Sequence, residues 1–84
     1  MLQYDFLGNF KAKYISAASA ARALNKSRGS MIAKASNGTE IQAFKYIWIY
    51  EEDFSEELLL QKVQAVKACR FYKNVITEIK NKDE

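Results

Sequence analysis

The 84-residue sequence predicts an α+β domain in which the elements follow the order ββααβ and a long C-terminal helix comes last. Three observations predict this class. Apolar and polar residues alternate near the N-terminus, an alanine-rich segment follows, and the last third carries apolar residues at helical spacing. The strands are expected to form one three-stranded antiparallel sheet. The length suits a single domain over residues 1–84 with one buried core.

The first two strands are predicted to form a β-hairpin. Residues 2–6 and 10–14 both alternate with period two, and Gly8-Asn9 between them accepts positive φ. The alternation places six residues on the core face: Leu2, Tyr4, Phe6, Phe10, Ala12 and Tyr14. It places four others on the opposite face: Gln3, Asp5, Lys11 and Lys13.

Two short helices are predicted next. Ser16 is suited to cap the first through its side-chain oxygen, and residues 17–24 are nearly all strong helix formers. Asn25 tolerates the left-handed conformation and is expected to close that helix. Ser27 is expected to cap the second helix, and Asn37-Gly38 to end it. A connection of about three residues with small alanine contacts favours a helix-turn-helix.

The third strand is predicted over residues 44–50, which are rich in β-branched and aromatic side chains. Ile47 and Ile49 fall on one face, and three aromatic residues fall on the other: Tyr46, Trp48 and Tyr50. Both faces are apolar, so each should be covered by other elements.

The last predicted element is a helix of about six turns, capped by Ser55 and reaching near Lys80. Apolar residues at helical spacing line one stripe of it: Leu59, Val63, Val66, Cys69, Tyr72, Ile76 and Ile79. Three more widen the stripe: Leu60, Phe71 and Val75.

The residue inventory argues against catalysis. The sequence has no histidine and one cysteine, Cys69, which excludes zinc fingers, histidine-metal nucleases and Ser-His or Cys-His pairs. It has no glycine-rich phosphate loop. Glu51, Glu52 and Asp53 could hold a divalent cation, but such a run is more often a solvated turn. We therefore expect a protein that is not an enzyme and needs no cofactor or metal.

The sequence also indicates a cellular setting. It begins without the basic start and apolar core of a signal peptide, and its apolar runs are too short to cross a bilayer. A lone cysteine suits a reducing compartment. We expect a cytoplasmic protein that does not enter the membrane.

Positive charge is concentrated in the first half. Residues 1–48 hold seven Lys/Arg against two Asp/Glu, whereas residues 49–84 hold six against eight. The basic half suits a polyanion and the acidic half suits a protein partner, although both could be ordinary solvated surfaces.

The candidate contact residues cluster around the two short helices. In a helix-turn-helix the second helix enters the major groove, where its N-terminal side chains contact base edges and its N-terminus holds phosphates. Arginine usually contacts guanine, while lysine more often pairs with phosphate. The pattern points to Lys26, Ser27, Arg28, Ser30 and Lys34. An ordinary solvent-facing helix cap is the alternative.

Short motifs run in one order through residues 2–50: Gln3-Tyr4-Asp5, Gly8-Asn9-Phe10, Ser16, Ala20-Ala21-Arg22, Leu24, residues 27–34, Asn37-Gly38, Tyr46-Ile47-Trp48 and Tyr50. This set resembles the intron-encoded nuclease repeat, a nuclease-associated modular DNA-binding domain attached to HNH and GIY-YIG homing endonucleases and often encoded by phages. The resemblance implies a hairpin, a helix-turn-helix-like pair and a closing strand that bind DNA while a separate domain cuts it. It also implies that four residues occupy the family's basic and small-polar positions: Arg22, Ser27, Ser30 and Lys34.

The sequence departs from that family at three places. Lys26 stands where an apolar residue is usual, Phe44-Lys45 replaces the usual Gly-Gly, and Ile49 stands where arginine is usual. An apolar Ile49 suggests that the C-terminal helix covers this face of the sheet. The histidines of an HNH centre and the GIY…YIG pattern are both missing.

We therefore predict a non-catalytic module that binds double-stranded DNA through residues 1–50 and carries an added helix over residues 55–80. The candidate DNA-binding residues are Arg22, Lys26, Ser27, Arg28, Ser30, Lys34 and Asn37. The alternative is a protein-interaction or dimerisation module. Six helical turns span roughly 30 Å, more than a small sheet covers, so a homodimer or partner protein is expected to meet part of residues 59–79. A small carboxylate enzyme is a third hypothesis, which the missing histidines argue against.

Overall fold

The protein forms a three-stranded antiparallel sheet with helices on both faces. The structure is a computed structural model and describes residues 1–26, 29–70 and 72–82. In chain order the elements are β1 (Leu2–Tyr4), β2 (Phe10–Lys13), α1 (Ala17–Ala23), α2 (Ser30–Asn37), β3 (Ile47–Ile49), α3 (Glu56–Val66) and α4 (Tyr72–Lys82). A 3₁₀ turn, Glu51–Asp53, links β3 to α3. The predicted α+β class and antiparallel sheet are confirmed.

β1 is the central strand, and a bulge changes how it pairs with β2. Leu2 lies opposite Lys13 and Gln3 opposite Ala12, but Tyr4 lies opposite Phe10. The extra residue in β2 reverses its alternation, because a one-residue shift moves side chains to the other face. Ala12 and Tyr14 therefore lie on the face opposite Tyr4. The prediction that all six apolar hairpin residues share one face is wrong.

Two polar residues predicted to lie on the face opposite the core are buried in the hairpin. Asp5 is only 1% exposed, and its carboxylate accepts hydrogen bonds from the backbone N–H groups of Leu7 and Asn9, both at 2.9 Å. Gln3 is 4% exposed and accepts a hydrogen bond from the Tyr14 hydroxyl at 3.0 Å. Backbone and hydroxyl donors thus satisfy both side chains, which allows their burial.

Each face of the sheet has its own core. On one face Trp48 packs with buried residues of the N-terminus, of α1 and α2 and of the segment before β3: Met1, Ala20, Ala21, Ile32, Ala35 and Ala43. The other face joins strand and hairpin residues to α3 and α4: Leu2, Tyr4, Phe6, Ile47, Ile49, Val66 and Val75. The predicted division of β3 into two covered faces is confirmed, and the C-terminal helices cover Ile49.

The prediction of a single C-terminal helix is wrong, because α3 ends at Val66 and a separate helix, α4, begins at Tyr72. In the turn, the Cys69 N–H donates to the Val66 carbonyl at 3.0 Å, and the Tyr72 N–H donates to the Cys69 carbonyl at 3.2 Å. An unbroken helix over residues 56–82 would span roughly 40 Å, whereas the longest extent of the molecule is 30 Å. The break lets Val66 and Val75 pack on the same sheet face.

That folding removes the reason for expecting a partner on residues 59–79. Most of the predicted stripe packs against the core that α3 and α4 share with the sheet: Leu59, Val63, Val66, Cys69, Tyr72, Val75, Ile76 and Ile79. Leu60 is the exception, since 59% of it is exposed. Phe71 lies outside the described residues. A homodimer or a protein partner on this stripe stays a prediction.

The helix ends follow local chemistry in most cases. Ser16 and Ser55 cap α1 and α3 as predicted. Asn25 has φ 60° and closes α1: its N–H donates to the Arg22 carbonyl, and the Lys26 N–H donates to the Ala21 carbonyl. This bonding pattern is a Schellman motif. Gly38, with φ 92°, ends α2 as predicted.

The start of α2 differs from the prediction. The helix begins at Ser30 with Gly29 at its N-cap, so the prediction that Ser27 caps it is wrong. The connection to α1 covers residues 24–29 and is longer than the three residues predicted. Ser27 and Arg28 lie outside the described residues.

Candidate nucleic-acid interface

α2 presents one side to the core and the other to solvent. Ile32, Ala35 and Ser36 are buried. Ser30, Lys34 and Asn37 are exposed, and their spacing of four and three residues places them along one stripe of the helix. Three residues of the predicted DNA-binding set therefore share a single solvent-facing side.

The N-terminal end of α2 lies close against the backbone of α1. A Cβ atom added to Gly29 would come within 2.7 Å of the Ala17 carbonyl carbon and 2.8 Å of the Ala18 nitrogen. Ala20 and Ala21 on α1 are buried in the same cluster as Ile32 on α2. A larger residue at position 29 would separate the helices, so the missing side chain sets their spacing.

The C-terminal end of α2 is held by Lys62 of α3. The Lys62 ammonium donates to the carbonyls of Ala35 at 2.8 Å, Ser36 at 3.3 Å and Trp48 at 2.9 Å. A cation at the last carbonyls of a helix also meets the negative end of its dipole. Burial lowers the pKa of Lys62, and the Asp53 carboxylate opposes that shift.

Sequence reasoning missed this role for Lys62. The signal was its position: Lys62 lies one turn after Leu58 and one turn before Val66, both of which pack on the sheet. It therefore belongs to the inward side of α3 rather than to the solvent face.

Two more residues of the predicted set lie near the junction of α1 and α2. Arg22 is exposed in the last turn of α1, and its guanidinium lies 3.5 Å from the Ser19 hydroxyl oxygen. Lys26 is exposed in the connection to α2, and its ammonium lies 5.2 Å from the centre of the Phe44 ring. With Lys34 on the α2 stripe they supply three exposed cations around the two helices.

Asn37 is already engaged at the end of α2. Its side-chain oxygen accepts a hydrogen bond from the Thr39 N–H at 2.9 Å. Its amide group retains its N–H donors for another partner. Ser27 and Arg28, the remaining members of the set, fall in the part of the connection that is not described.

The acidic run and the cysteine, considered from the sequence as catalytic or metal-binding groups, lie in separate elements. Glu51, Glu52 and Asp53 form the exposed 3₁₀ turn, where Glu51 pairs with Lys13 at 2.9 Å. Cys69 is half-buried, and burial raises the pKa of its thiol. Within residues 1–26, 29–70 and 72–82, no three His, Cys, Asp or Glu side chains gather as a metal site would require. Nor is any helix in these ranges long and apolar enough to cross a membrane.

Comparison with known families finds a match over the N-terminal part of the chain. Residues 2–35 match the NUMOD1 domain. NUMOD1 is a nuclease-associated modular DNA-binding domain, non-catalytic and found with homing endonucleases. The match covers β1, β2, α1 and most of α2, and it ends before β3. No curated protein and no solved structure matches the chain.

The NUMOD1 match confirms the coarser part of the resemblance drawn from the motifs. It contains four described residues of the predicted set: Arg22, Lys26, Ser30 and Lys34. Attachment to an HNH or GIY-YIG enzyme stays a prediction. So do the helix-turn-helix docking mode and a phage origin.

Proposed function

We propose that this chain is a non-catalytic module that binds double-stranded DNA through the exposed stripe of α2 and the cations beside it. The observation that carries the proposal is the alignment of Ser30, Lys34 and Asn37 on the solvent-facing side of a helix that begins inside the NUMOD1 match. Arg22 and Lys26 extend the positive surface along the preceding helix and connection.

The geometry suits a helix-turn-helix type of docking. α2 enters the major groove, with Ser30 at its positive N-terminal end facing a phosphate. Lys34, one turn further, pairs with the phosphate backbone flanking the groove. Ser27 and Arg28 precede the helix in sequence, and we assign Arg28 to a guanine edge. Asn37 completes the contact surface at the far end.

So few base-contacting groups predict weak binding with little sequence preference. Non-specific contacts of this kind have dissociation constants of roughly 10⁻⁴–10⁻⁶ M at physiological salt. The module therefore serves a separate cytoplasmic partner or domain that cuts DNA, most simply a homing endonuclease of the HNH or GIY-YIG type. Its own contribution is to hold that enzyme on the duplex.

Fluorescence anisotropy with a labelled random duplex, measured over a series of salt concentrations, tests the proposal. The wild type should bind at low salt, and its affinity should fall steeply as salt rises because phosphate contacts release counterions. Lys34→Ala should weaken binding and reduce the log–log salt slope by about one. Arg28→Ala should cost about 1–3 kcal/mol and relax whatever sequence preference exists.

The matched controls are Lys67→Ala and Lys73→Ala, which remove exposed lysines from the C-terminal half. Both should bind as the wild type does. Lys62 is not a suitable control, because its ammonium is bound to three carbonyl groups. Fluorescence of the fully buried Trp48 reports whether each variant is folded. A folded wild-type protein that does not bind duplex DNA at low salt would refute the proposal.

A further inference from the structure

The two-residue turn that precedes β3 has a backbone conformation that its residues disfavour. Ala43 and Tyr46 exchange both backbone hydrogen bonds, at 3.1 and 3.0 Å. Between them Phe44 has φ 56° and Lys45 has φ 70°. Two successive positive φ angles define a type I′ turn, which glycine and asparagine favour strongly. The chain therefore keeps two large side chains where glycine would relieve strain, and strained positions of this kind concentrate at ligand-binding sites.

Both side chains of the turn have defined surroundings. The Phe44 ring packs against the Trp48 core, and the Lys26 ammonium lies 5.2 Å from its centre. Lys45 is exposed, and its ammonium lies 3.4 Å from the Glu78 carboxylate. The Phe44 ring thus holds the Lys26 ammonium beside the turn, and Lys45 adds a second ammonium from the turn itself.

The side of the turn away from Glu78 borders a groove whose lining includes two lysines. The groove measures about 330 Å³ and is lined by Leu24, Lys26, Phe44, Lys45 and Tyr46. This lining contains two cations and no acidic group. Lys26 belongs to the connection that leads into α2, so the groove adjoins the helix pair proposed above to bind DNA.

We propose that this turn is a second DNA-contact element, in which Lys26 and Lys45 bind phosphodiester oxygens of the duplex that α2 engages. The inference rests on the proposed function, and Phe44 and Lys45 lie beyond the NUMOD1 match. The longest extent of the molecule, 30 Å, is less than one turn of duplex DNA, roughly 34 Å. The contacts made by α2 and by the Phe44–Lys45 turn therefore fall within a single helical turn of the DNA.

Glu78 has a competing role in this proposal. In the free protein its carboxylate pairs with the Lys45 ammonium, and bound DNA replaces that carboxylate with a phosphate. Such an exposed pair is weak, so the exchange costs little. Removing the Glu78 charge should nonetheless leave Lys45 more available to DNA.

The decisive measurement is the salt dependence of duplex binding by the full chain. Lys45→Ala should reduce the log–log slope by about 0.9 and weaken binding about tenfold near 0.1 M salt, as the loss of one phosphate contact requires. Lys26→Ala should act in the same way. Lys45→Arg should bind nearly as the wild type does. Lys67→Ala, the control, should leave both slope and affinity unchanged.

A second set of variants tests the competition by Glu78. Glu78→Gln should tighten binding by up to about fivefold, the equivalent of one exposed ion pair. That gain should disappear in the Lys45→Ala background, because the two residues act through one contact. Glu57→Gln makes the same charge change at an exposed residue of α3 and should produce a smaller gain.

The outcomes separate this inference from the function on which it rests. If the wild type does not bind duplex DNA, the proposed function fails and this inference fails with it. If the wild type binds and Lys34→Ala weakens it, but Lys45→Ala keeps the wild-type slope and affinity, only the inference is overturned. Lys45→Gly, which removes the same charge and relieves the backbone, guards against a folding defect in the alanine variant.

Discussion

Lys45 has an exposed side chain and a backbone angle that favours glycine. Different substitutions can therefore separate the effect of its charge on stability from the effect of its backbone strain. Lys45→Gly and Lys45→Ala both remove the ammonium and its pairing with Glu78. Only alanine keeps a Cβ atom at φ 70°, which costs roughly 1–2 kcal/mol, while glycine adds about 0.5–1 kcal/mol of chain entropy. We expect the glycine variant to be the more stable by about 0.5–1 kcal/mol. Urea unfolding followed by Trp48 fluorescence checks this, and equal stabilities would contradict it.

Cys69 lies in the turn between α3 and α4, where burial raises the pKa of its thiol. The thiolate is the reactive form, so the folded protein should react with iodoacetamide more slowly than the urea-unfolded chain at any pH near neutrality. Its rate should also begin to rise at a higher pH. Because the folded pKa is the higher one, the thiol stabilises the fold below the unfolded pKa of about 8.5 and loses that contribution as pH rises through the folded pKa. A folded-state rate equal to the unfolded rate would contradict the burial.

Residue-scale prediction failed where polar side chains bind backbone groups. Asp5 and Lys62 have polarities typical of the surface, yet Asp5 binds the amides of its own turn and Lys62 binds three carbonyls brought together by α2 and β3. The Asp5 partners lie two and four residues along the chain, in the hairpin loop. The Lys62 partners are set by tertiary geometry, which the sequence pattern does not contain. Ser30 and Lys34, predicted to contact DNA, are exposed, and their place on the helix opposite its buried residues follows from helical periodicity. Their contact with DNA stays a prediction.

At the scale of elements, the spacing of α1 and α2 depends on Gly29. Its φ of −87° suits any residue, so a substitution acts through contact alone, and Gly29→Ala brings a methyl group against the backbone of Ala17 and Ala18. We expect a loss of about 1–3 kcal/mol in unfolding free energy, as for other overpacked sites. Urea unfolding measures the loss, and chemical shifts of α1 and α2 should change together. Unaltered stability would show that the helices are not held by this contact.

Lys62 joins three elements, so its removal should loosen α2 from both β3 and α3. Lys62→Met keeps much of the aliphatic length but leaves the carbonyls of Ala35, Ser36 and Trp48 without the ammonium. We expect the unfolding free energy to fall by about 1–3 kcal/mol. Lys73→Met changes an exposed lysine of α4 and should be nearly neutral. If the two variants lose equal stability, the three hydrogen bonds contribute nothing measurable.

Element boundaries were predictable where local chemistry decides them. Ser16, Asn25, Ser55 and Gly38 act as predicted, because capping needs only one side chain or one backbone conformation. The turn over residues 67–70, where the helix breaks, contains neither glycine nor proline. The break lets Val66 and Val75 pack on the same face of the sheet. The apolar stripe continues at helical spacing through this segment, so periodicity alone does not reveal the break.

At the scale of the whole molecule, α2 with its proposed DNA-binding stripe and the C-terminal helices lie on opposite sides of one sheet. α1 and α2 cover the Trp48 face, while α3 and α4 cover the face that carries Ile47 and Ile49. The NUMOD1 match ends at residue 35, so the second layer lies outside it. Lys62 reaches across β3 to the end of α2, which makes that layer part of the support for the proposed interface.

A chain shortened to residues 1–54 should therefore fail to fold, although it retains every candidate DNA-binding residue. Removing α3 and α4 exposes the apolar side of the sheet, including Phe6, Ile47 and Ile49, each fully buried in the whole chain. Burying each such side chain contributes about 1.5–3 kcal/mol, and a domain of this size has only about 5–15 kcal/mol of net stability. The fragment should show poorly dispersed NMR signals, solvent-exposed Trp48 emission and no cooperative unfolding. The full chain under the same conditions is the control. A fragment that unfolds cooperatively, with Trp48 buried, would show instead that residues 1–54 form an independent module and that α3 and α4 are an appendage.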